Sequence, residues 1–158
     1  MSGQTAAQSA AIDTPPDVKR VLVIDDDPTI LELIRHALGR LDRYEVVTAI
    51  NGAEGLQSYF SAAPDCVIVD IGMPVMDGFQ FVRAIRGHSV SANTPIIVLS
   101  ALTDDDHQTT GALSGVDEYV AKPFKVSVLC SALERALQIT PEERARRIQN
   151  LAEGSGGR

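Results

Sequence analysis

The chain has 158 residues and a formal net charge of −7, which is enough length for one domain with a sizeable core plus tails. The negative charge argues against nucleic acid as a partner, because such binding needs clustered lysine and arginine. No apolar stretch approaches the roughly 20 residues of a membrane-spanning helix, which argues against a membrane as a partner.

The N-terminal residues and the cysteines indicate the cellular compartment of the protein. Residues 1–18 lack the basic start and the apolar block of a secretory signal, so we expect them to be a disordered leader. The two cysteines, Cys66 and Cys130, lack the spacing of a zinc site or a redox pair. We therefore expect two buried, reduced thiols and a cytoplasmic protein.

Apolar runs alternate with segments of helical periodicity between residues 19 and 139, which we interpret as the folded domain. The predicted strands are residues 21–24, 44–49, 66–69, 95–99 and 118–121. Two helices are predicted to begin at the pairs Asp27-Pro28 and Asn51-Gly52. Three more are predicted at residues 78–86, 104–114 and 125–139. Strands that are apolar throughout are buried on both faces, as in a parallel sheet with helices on each side. The order of elements predicts an α/β, doubly wound, flavodoxin-like fold whose five-stranded parallel sheet has the order 2-1-3-4-5.

A short extra helix is predicted after residue 139. Thr140 is a good N-cap, Pro141 suits the first turn, and two glutamates that follow suit the positive end of the helix. We expect the helix to end near residue 152, so that residues 140–158 form a C-terminal helix and a flexible tail.

Two faces of this extra helix differ in chemistry. One face is apolar and could dock on the core or on a second chain; it carries Ala145, Ile148 and Leu151. The other is expected to be a solvated face paired with nearby glutamates, an acidic partner being the alternative; it carries Arg144, Arg146 and Arg147.

Three carboxylates follow apolar strands that neighbour each other in the predicted sheet. Asp25 and Asp26 follow the first strand, and Asp70 follows the third. Three carboxylates in one pocket repel and cannot all stay ionised alone. A hard divalent cation resolves the repulsion, and Mg2+ prefers carboxylate oxygens plus waters. The cluster predicts a magnesium site in which Asp70 has a spare oxygen that can accept a phosphoryl group.

Two further side chains are predicted to complete the pocket. Ser100 ends the fourth strand and can direct its hydroxyl at a phosphoryl oxygen. Lys122 follows the fifth strand and supplies a cation, in a turn that Pro123 fixes. Phosphoryl transfer to Asp70 needs charge neutralisation more than acid–base help, and Mg2+, Lys122 and Ser100 can provide it.

With these motifs, the chain resembles the bacterial two-component response-regulator receiver family, the fold of the chemotaxis response regulator, over about residues 19–139. The resemblance implies that Asp70 is the phosphoacceptor, that Asp26 binds Mg2+ directly, and that Asp25 binds it largely through water. It also implies a further metal ligand, the backbone carbonyl of Gly72. Ser100 and Lys122 match the phosphate-sensing hydroxyl and the lysine of the family. Tyr119 matches the switch aromatic, whose ring turns inward when the hydroxyl moves toward phosphate.

Two departures from the family pattern concern phosphate lifetime. Gly72, two residues after the phosphoacceptor, has no side chain to shield a phosphoryl group. Leu102, two residues after Ser100, cannot orient water. Residues 104–113 also lack an aliphatic stripe, so they are expected to form the loosest helix, which phosphorylation would reshape.

These observations predict a stand-alone receiver that takes phosphate from a histidine kinase or a histidine phosphotransfer protein. Its output would be protein binding through the surface of residues 104–139, and phosphorylation could drive homodimer formation. It would not be an enzyme beyond its own phosphorylation and dephosphorylation. The alternatives are a receiver fragment of a hybrid kinase, a transcriptional regulator, or an aspartate-nucleophile phosphatase. The phosphatases generally place a second aspartate where this chain has Gly72.

Overall fold

The structure is a computed structural model that describes residues 17–101 and 115–156, without the side chains of residues 148 and 150–156. The strands are β1 (Lys19–Ile24), β2 (Tyr44–Ala49), β3 (Cys66–Asp70), β4 (Ile96–Ser100) and β5 (Glu118–Ala121). The helices are α1 (Pro28–Gly39), α2 (Gly52–Ala62), α3 (Gly78–Arg86), α4 (Val126–Gln138) and α5 (Pro141–Gly156). The helix predicted at residues 104–114 and nearly all of the predicted leader lie outside the described residues.

The five strands form one parallel sheet in the order β2-β1-β3-β4-β5. The predicted flavodoxin-like, doubly wound architecture is therefore confirmed. The order of the strands reverses between β1 and β3, and such folds bind ligands at the carboxyl ends of the strands beside this point. The register pairs Ile24 with Val69 and Asp70 with Leu99, so that the residues which follow β1, β3 and β4 come together at one edge.

Helices cover both faces of the sheet. One core cluster joins β1, β3 and β4 to α1 and α4, and the other joins the same strands to α2 and α3. Every residue of β3 and β4 is buried, which explains why these strands are apolar up to their last residue. None of the described helices combines the length and the apolar character needed to cross a membrane.

The start of α3 rests directly on the end of β3. A Cβ atom on Gly78 would lie 2.7 Å from the carbonyl oxygen of Asp70 and 2.7 Å from the Cα of Ile71. Both neighbours are backbone atoms that cannot turn away, so only glycine fits. Asp77 precedes this glycine and forms a reciprocal capping box with Gln80. The cap and the glycine together fix the loop that follows the predicted phosphoacceptor.

The extra helix α5 begins at Pro141 as predicted and runs to Gly156, beyond the expected end near residue 152. Thr140 caps it, because its Oγ1 accepts a hydrogen bond of 3.1 Å from the backbone N–H of Glu143. The prediction that Arg144 lies on a solvated face is wrong: its side chain is buried and its Nε lies 2.7 Å from Asp117 Oδ1. Ala145, on the face that could dock on the core or on a second chain, is exposed, and the side chains of Ile148 and Leu151 on that face lie outside the described part of the chain. The buried carboxylate of Asp117 thus pairs with Arg144 of α5 as well as with Arg86 of α3.

The two cysteines have free thiols in different surroundings. Cys66 is completely buried at the start of β3, whereas Cys130 on α4 is half-buried. The expectation of two buried thiols therefore holds for Cys66 alone. Burial raises the pKa of both thiols, and the nearby charge of Asp117 adds to the effect at Cys66.

Candidate phosphoacceptor and metal site

Three carboxylates meet at the carboxyl edge of the sheet, as the sequence predicted. Asp25 follows β1 and is fully buried, Asp70 ends β3 and is 6% exposed, and Asp26 faces solvent. One oxygen from each of these side chains lies within 4.8 Å of the other two. Carboxylate oxygens at this separation can bind the same hard divalent cation.

Lys122 lies between two of these carboxylates. Its Nζ is 2.9 Å from Asp25 Oδ2 and 3.2 Å from Asp70 Oδ1. Its backbone N–H donates a hydrogen bond of 2.9 Å to the carbonyl of Ser100, which fixes the residue to the end of β4. The Lys122–Pro123 peptide bond that follows is cis.

The electrostatics of the pocket show a shortage of positive charge. Burial raises the pKa of Asp25, although the backbone N–H of Asp27, 2.9 Å from Asp25 Oδ1, and the amine of Lys122 oppose it; the charge of Asp70 raises it further. Burial by itself lowers the pKa of Lys122, but the hydrogen bonds and charges of Asp25 and Asp70 outweigh burial and raise it. Three ionised carboxylates against one ammonium leave two negative charges, which a divalent cation would neutralise.

Ser100 and Tyr119 occupy the two strands beside this cluster. Ser100 is fully buried at the end of β4 and pairs in register with Ala121, next to Lys122. Tyr119 lies two residues earlier in β5, opposite Val98, and its ring packs on the core cluster of α2 and α3. Burial raises the pKa of Tyr119 to about 12. The structure thus places Ser100 and Tyr119 on the neighbouring strands β4 and β5, and the phosphate-sensing and switch roles are predictions from the family resemblance.

Gly72 leaves one side of the pocket open. It is exposed, and the nearest described atom to a Cβ built on it would be Asp70 Oδ2, 3.9 Å away. A side chain at this position would therefore lie over the carboxylate of Asp70 without a clash. The second position predicted to affect phosphate lifetime, Leu102, lies outside the described residues.

An apolar surface beside the pocket was missed in the sequence. It lies next to Lys122 and is formed by Ile30, Leu33, Ala101, Pro123 and Phe124. Leu33 is 43% exposed and stands outside the core stripe of α1, so the periodicity that identified the helix passed over it. The spacing of Ile30 and Leu33, one turn apart, was the available signal.

Two solved structures resemble this chain closely. The chemotaxis response regulator CheY4 of Vibrio cholerae has a TM-score of 0.71 and 36% identity, covering 75% of this chain and 98% of that one. The signal receiver domain of a signal transduction histidine kinase from Syntrophus aciditrophicus has a TM-score of 0.70 and 30% identity, covering 78% of this chain and 98% of that one.

Curated relatives match the same part of the chain. The transcriptional regulatory protein PrrA of Mycobacterium tuberculosis is 39% identical over 127 residues, which are 80% of this chain and 53% of PrrA. This chain therefore spans about half the length of that relative. The profile of the response regulator receiver domain matches residues 21–134. From this match and the acidic pocket, we conclude that the chain belongs to the response regulator receiver family, whose members are phosphoacceptor switches and not conventional enzymes.

Proposed function

We propose that Asp70 accepts a phosphoryl group from a histidine kinase or a histidine phosphotransfer protein, and that the protein signals by binding another protein. The observation that carries the proposal is the position of Lys122, which contacts Asp25 and Asp70 at 2.9 and 3.2 Å inside a cluster of three carboxylates. A purely structural ion pair would need one carboxylate; the surplus indicates a site for a cation and a reacting oxygen.

Mg2+ is the cation that this donor set fits best, since hard oxygen ligands and an open, partly exposed site suit it. Asp25, Asp26, Asp70 and the backbone carbonyl of Gly72 would hold it. When bound, it would neutralise negative charge on the phosphoryl oxygens and on the carboxylates.

The residues of the chain would then carry out one substitution at phosphorus. A carboxylate oxygen of Asp70 forms the new P–O bond while the P–N bond of the donor's phosphohistidine breaks, and the imidazole keeps the electron pair. Lys122, held cationic by its two carboxylates, pairs with the oxygens of the incoming group. Ser100 binds a phosphoryl oxygen through its hydroxyl, and Tyr119 moves with it to alter the surface of β5.

A protein donor would rest on the apolar surface beside Lys122. Leu33 and Phe124 line this surface together with Lys122, which contacts Asp70. An apolar helix face on the donor would bury them and bring its phosphohistidine to the pocket. The output partner would bind the surface of residues 104–139, which overlaps the donor surface at Pro123 and Phe124. Homodimer formation on phosphorylation would also use the surface of residues 104–139.

The chain would work in the cytoplasm as a stand-alone receiver, or as the receiver part of a larger regulator or hybrid kinase. Its likeness to CheY4 over nearly all of that chain supports the first arrangement. Its match to half of PrrA supports the second. The absence of a second carboxylate at Gly72 disfavours a phosphatase.

The test is phosphorylation by acetyl phosphate with Mg2+, measured as intact mass. Wild type should gain one phosphoryl group, and the gain should disappear with chelator and in Asp70→Asn. Asp27→Asn is the matched control, because it makes the same change of charge near the pocket, and asparagine caps α1 as well as aspartate. Labelling of Asp70→Asn at the wild-type level, or labelling that persists in chelator, would refute the proposal.

A further inference from the structure

Asp117 joins three parts of the fold immediately before β5. Its Oδ2 accepts hydrogen bonds from the backbone N–H of Ile96 at 2.8 Å and from Nη2 of Arg86 at 3.1 Å. Its Oδ1 accepts one from Nε of Arg144 at 2.7 Å. The carboxylate is 2% exposed. One buried side chain thus ties the start of β4, the end of α3 and the helix α5 together.

Arg144 holds α5 in this junction with an incomplete set of hydrogen bonds. Its Nη1 donates to the carbonyl of Asn93 at 2.7 Å. Within the part of the chain that the structure describes, its Nη2 is buried and has no acceptor. A buried donor that finds no acceptor is destabilising, so the docked position of α5 is held less firmly than the number of its contacts implies.

The balance of charge in the junction points the same way. Two guanidinium groups, those of Arg86 and Arg144, share the single carboxylate of Asp117. Arg86 has other acceptors, the carbonyls of Gly115 and Thr94 at 2.9 and 2.6 Å. Asp117 can therefore remain paired with Arg86 when α5 leaves. Two arrangements of α5, docked and released, are compatible with the rest of the fold.

The strand β5 connects this junction to the acidic pocket. Asp117 stands at one end of the strand and Lys122 at the other, five residues apart or roughly 16 Å in extended chain. Lys122 is held by Asp25 and Asp70, and Asp117 by Arg86 and Arg144. In the described sheet, β5 pairs with β4 alone. A strand anchored at both ends by ion pairs transmits a displacement from one end to the other.

We propose that α5 is a latch closed by Arg144, and that binding of Mg2+ and a phosphoryl group at Asp70 opens it through β5. This coupling rests on the proposed function. A phosphoryl group draws Lys122 away from Asp25 and shifts the end of β5 toward the pocket. The shift stretches the contact between Asp117 and Arg144. Of the two ion pairs of Asp117, the one with Arg144 is the weaker, because the hydrogen bonds of Arg144 are incomplete. Release of α5 uncovers the carboxylate of Asp117, immediately before β5.

Hydrogen exchange measured by mass spectrometry tests the latch on the protein alone. Arg144→Met removes the guanidinium and keeps an apolar stem, and Arg146→Met makes the same change on an exposed position of the same helix. Amides of α5 should exchange at least about tenfold faster in Arg144→Met than in Arg146→Met or wild type. Amides of α4 serve as the reference for a folded core. Equal exchange of α5 in the two variants, or an equal acceleration of α4 in Arg144→Met, would overturn the latch.

The coupling is tested by repeating the exchange with Mg2+ and beryllofluoride, a phosphoryl mimic. In wild type, α5 should exchange faster when both are bound, and Arg144→Met should bind them more tightly by the same factor, since coupling is reciprocal. If the mimic binds and α5 does not respond, the coupling is refuted. If neither Mg2+ nor the mimic binds, the proposed function and the coupling are both refuted. The latch itself is then tested by the exchange of α5 in Arg144→Met and Arg146→Met alone.

Discussion

Gly78 begins α3 at a point with no room for a side chain, and Gly78→Ala is expected to destabilise the protein. The added Cβ would lie 2.7 Å from two backbone atoms of Asp70 and Ile71 and 2.8 Å from Ile71 Cγ2. Overpacking of this kind costs about 1–3 kcal/mol. For a domain of this size, each kcal/mol lowers Tm by about 2–4 °C. The expected loss in Tm is therefore roughly 2–12 °C. Because relief of the clash moves Asp70, the affinity for Mg2+ should fall as well.

Gly39→Ala is the matched control, since a Cβ at the end of α1 meets no described atom within 4 Å. Alanine is favoured over glycine in a helix, so this variant should melt at or above the wild-type temperature. Calorimetry gives Tm, and a calorimetric titration gives the affinity for Mg2+. The reasoning is refuted if Gly78→Ala and Gly39→Ala have the same Tm. It is also refuted if Gly78→Ala has a lower Tm but binds Mg2+ with the wild-type affinity.

Three other variants probe the buried charges of Asp25 and Asp117 and the open side of the pocket at Gly72. Burial raises the pKa of Asp25, so ionised Asp25 destabilises the metal-free protein at neutral pH. Asp25→Asn should therefore raise Tm at neutral pH. The gain in Tm should vanish as the pH falls toward about 4, where Asp25 becomes protonated in both the folded and the unfolded protein. Asp117→Asn should lower the free energy of unfolding by about 3–5 kcal/mol in a urea titration. Arg135→Ala should lower it by less than about 1 kcal/mol, because the side chain of Arg135 is 59% exposed in its ion pair with Glu118. Similar losses in the two variants would refute the distinction between buried and exposed ion pairs. Gly72→Arg should lengthen the half-life of phosphate on Asp70, and an equal or shorter half-life would show that access from this side does not control hydrolysis.

The fold and the acidic cluster were predictable because both follow from strand order. The apolar run that ends in Asp70 identified a strand buried on both faces, and such strands occur in parallel sheets. Once β1 and β3 were neighbours, Asp25 and Asp70 had to end at the same edge. Lys122 followed from its place after the last strand. Local pattern and topology gave the same answer at each of these positions.

The docking of α5 was not predictable from local pattern. Helical periodicity ranks faces by apolar content, and on that measure Arg144 was expected on a solvated face. The structure buries Arg144 instead, because its partner Asp117 lies 27 residues away in the chain. Leu33 shows the converse case, an apolar residue left outside the core that contributes to a surface beside the pocket. A search for amphipathic periodicity detects neither an ion pair between residues distant in the chain nor an apolar residue that belongs to a functional surface.

Because the two cysteines lie in different surroundings, their rates of modification by a thiol reagent can report on the opening of the structure. The chain has no tryptophan, so intrinsic fluorescence follows unfolding poorly. Cys130 is half-buried and can meet a thiol reagent in the native state after small fluctuations, whereas Cys66 lies inside the sheet and must wait until β3 separates from its neighbours. The two modification rates, read as two mass increments in one sample, therefore separate local breathing of α4 from opening of the whole molecule.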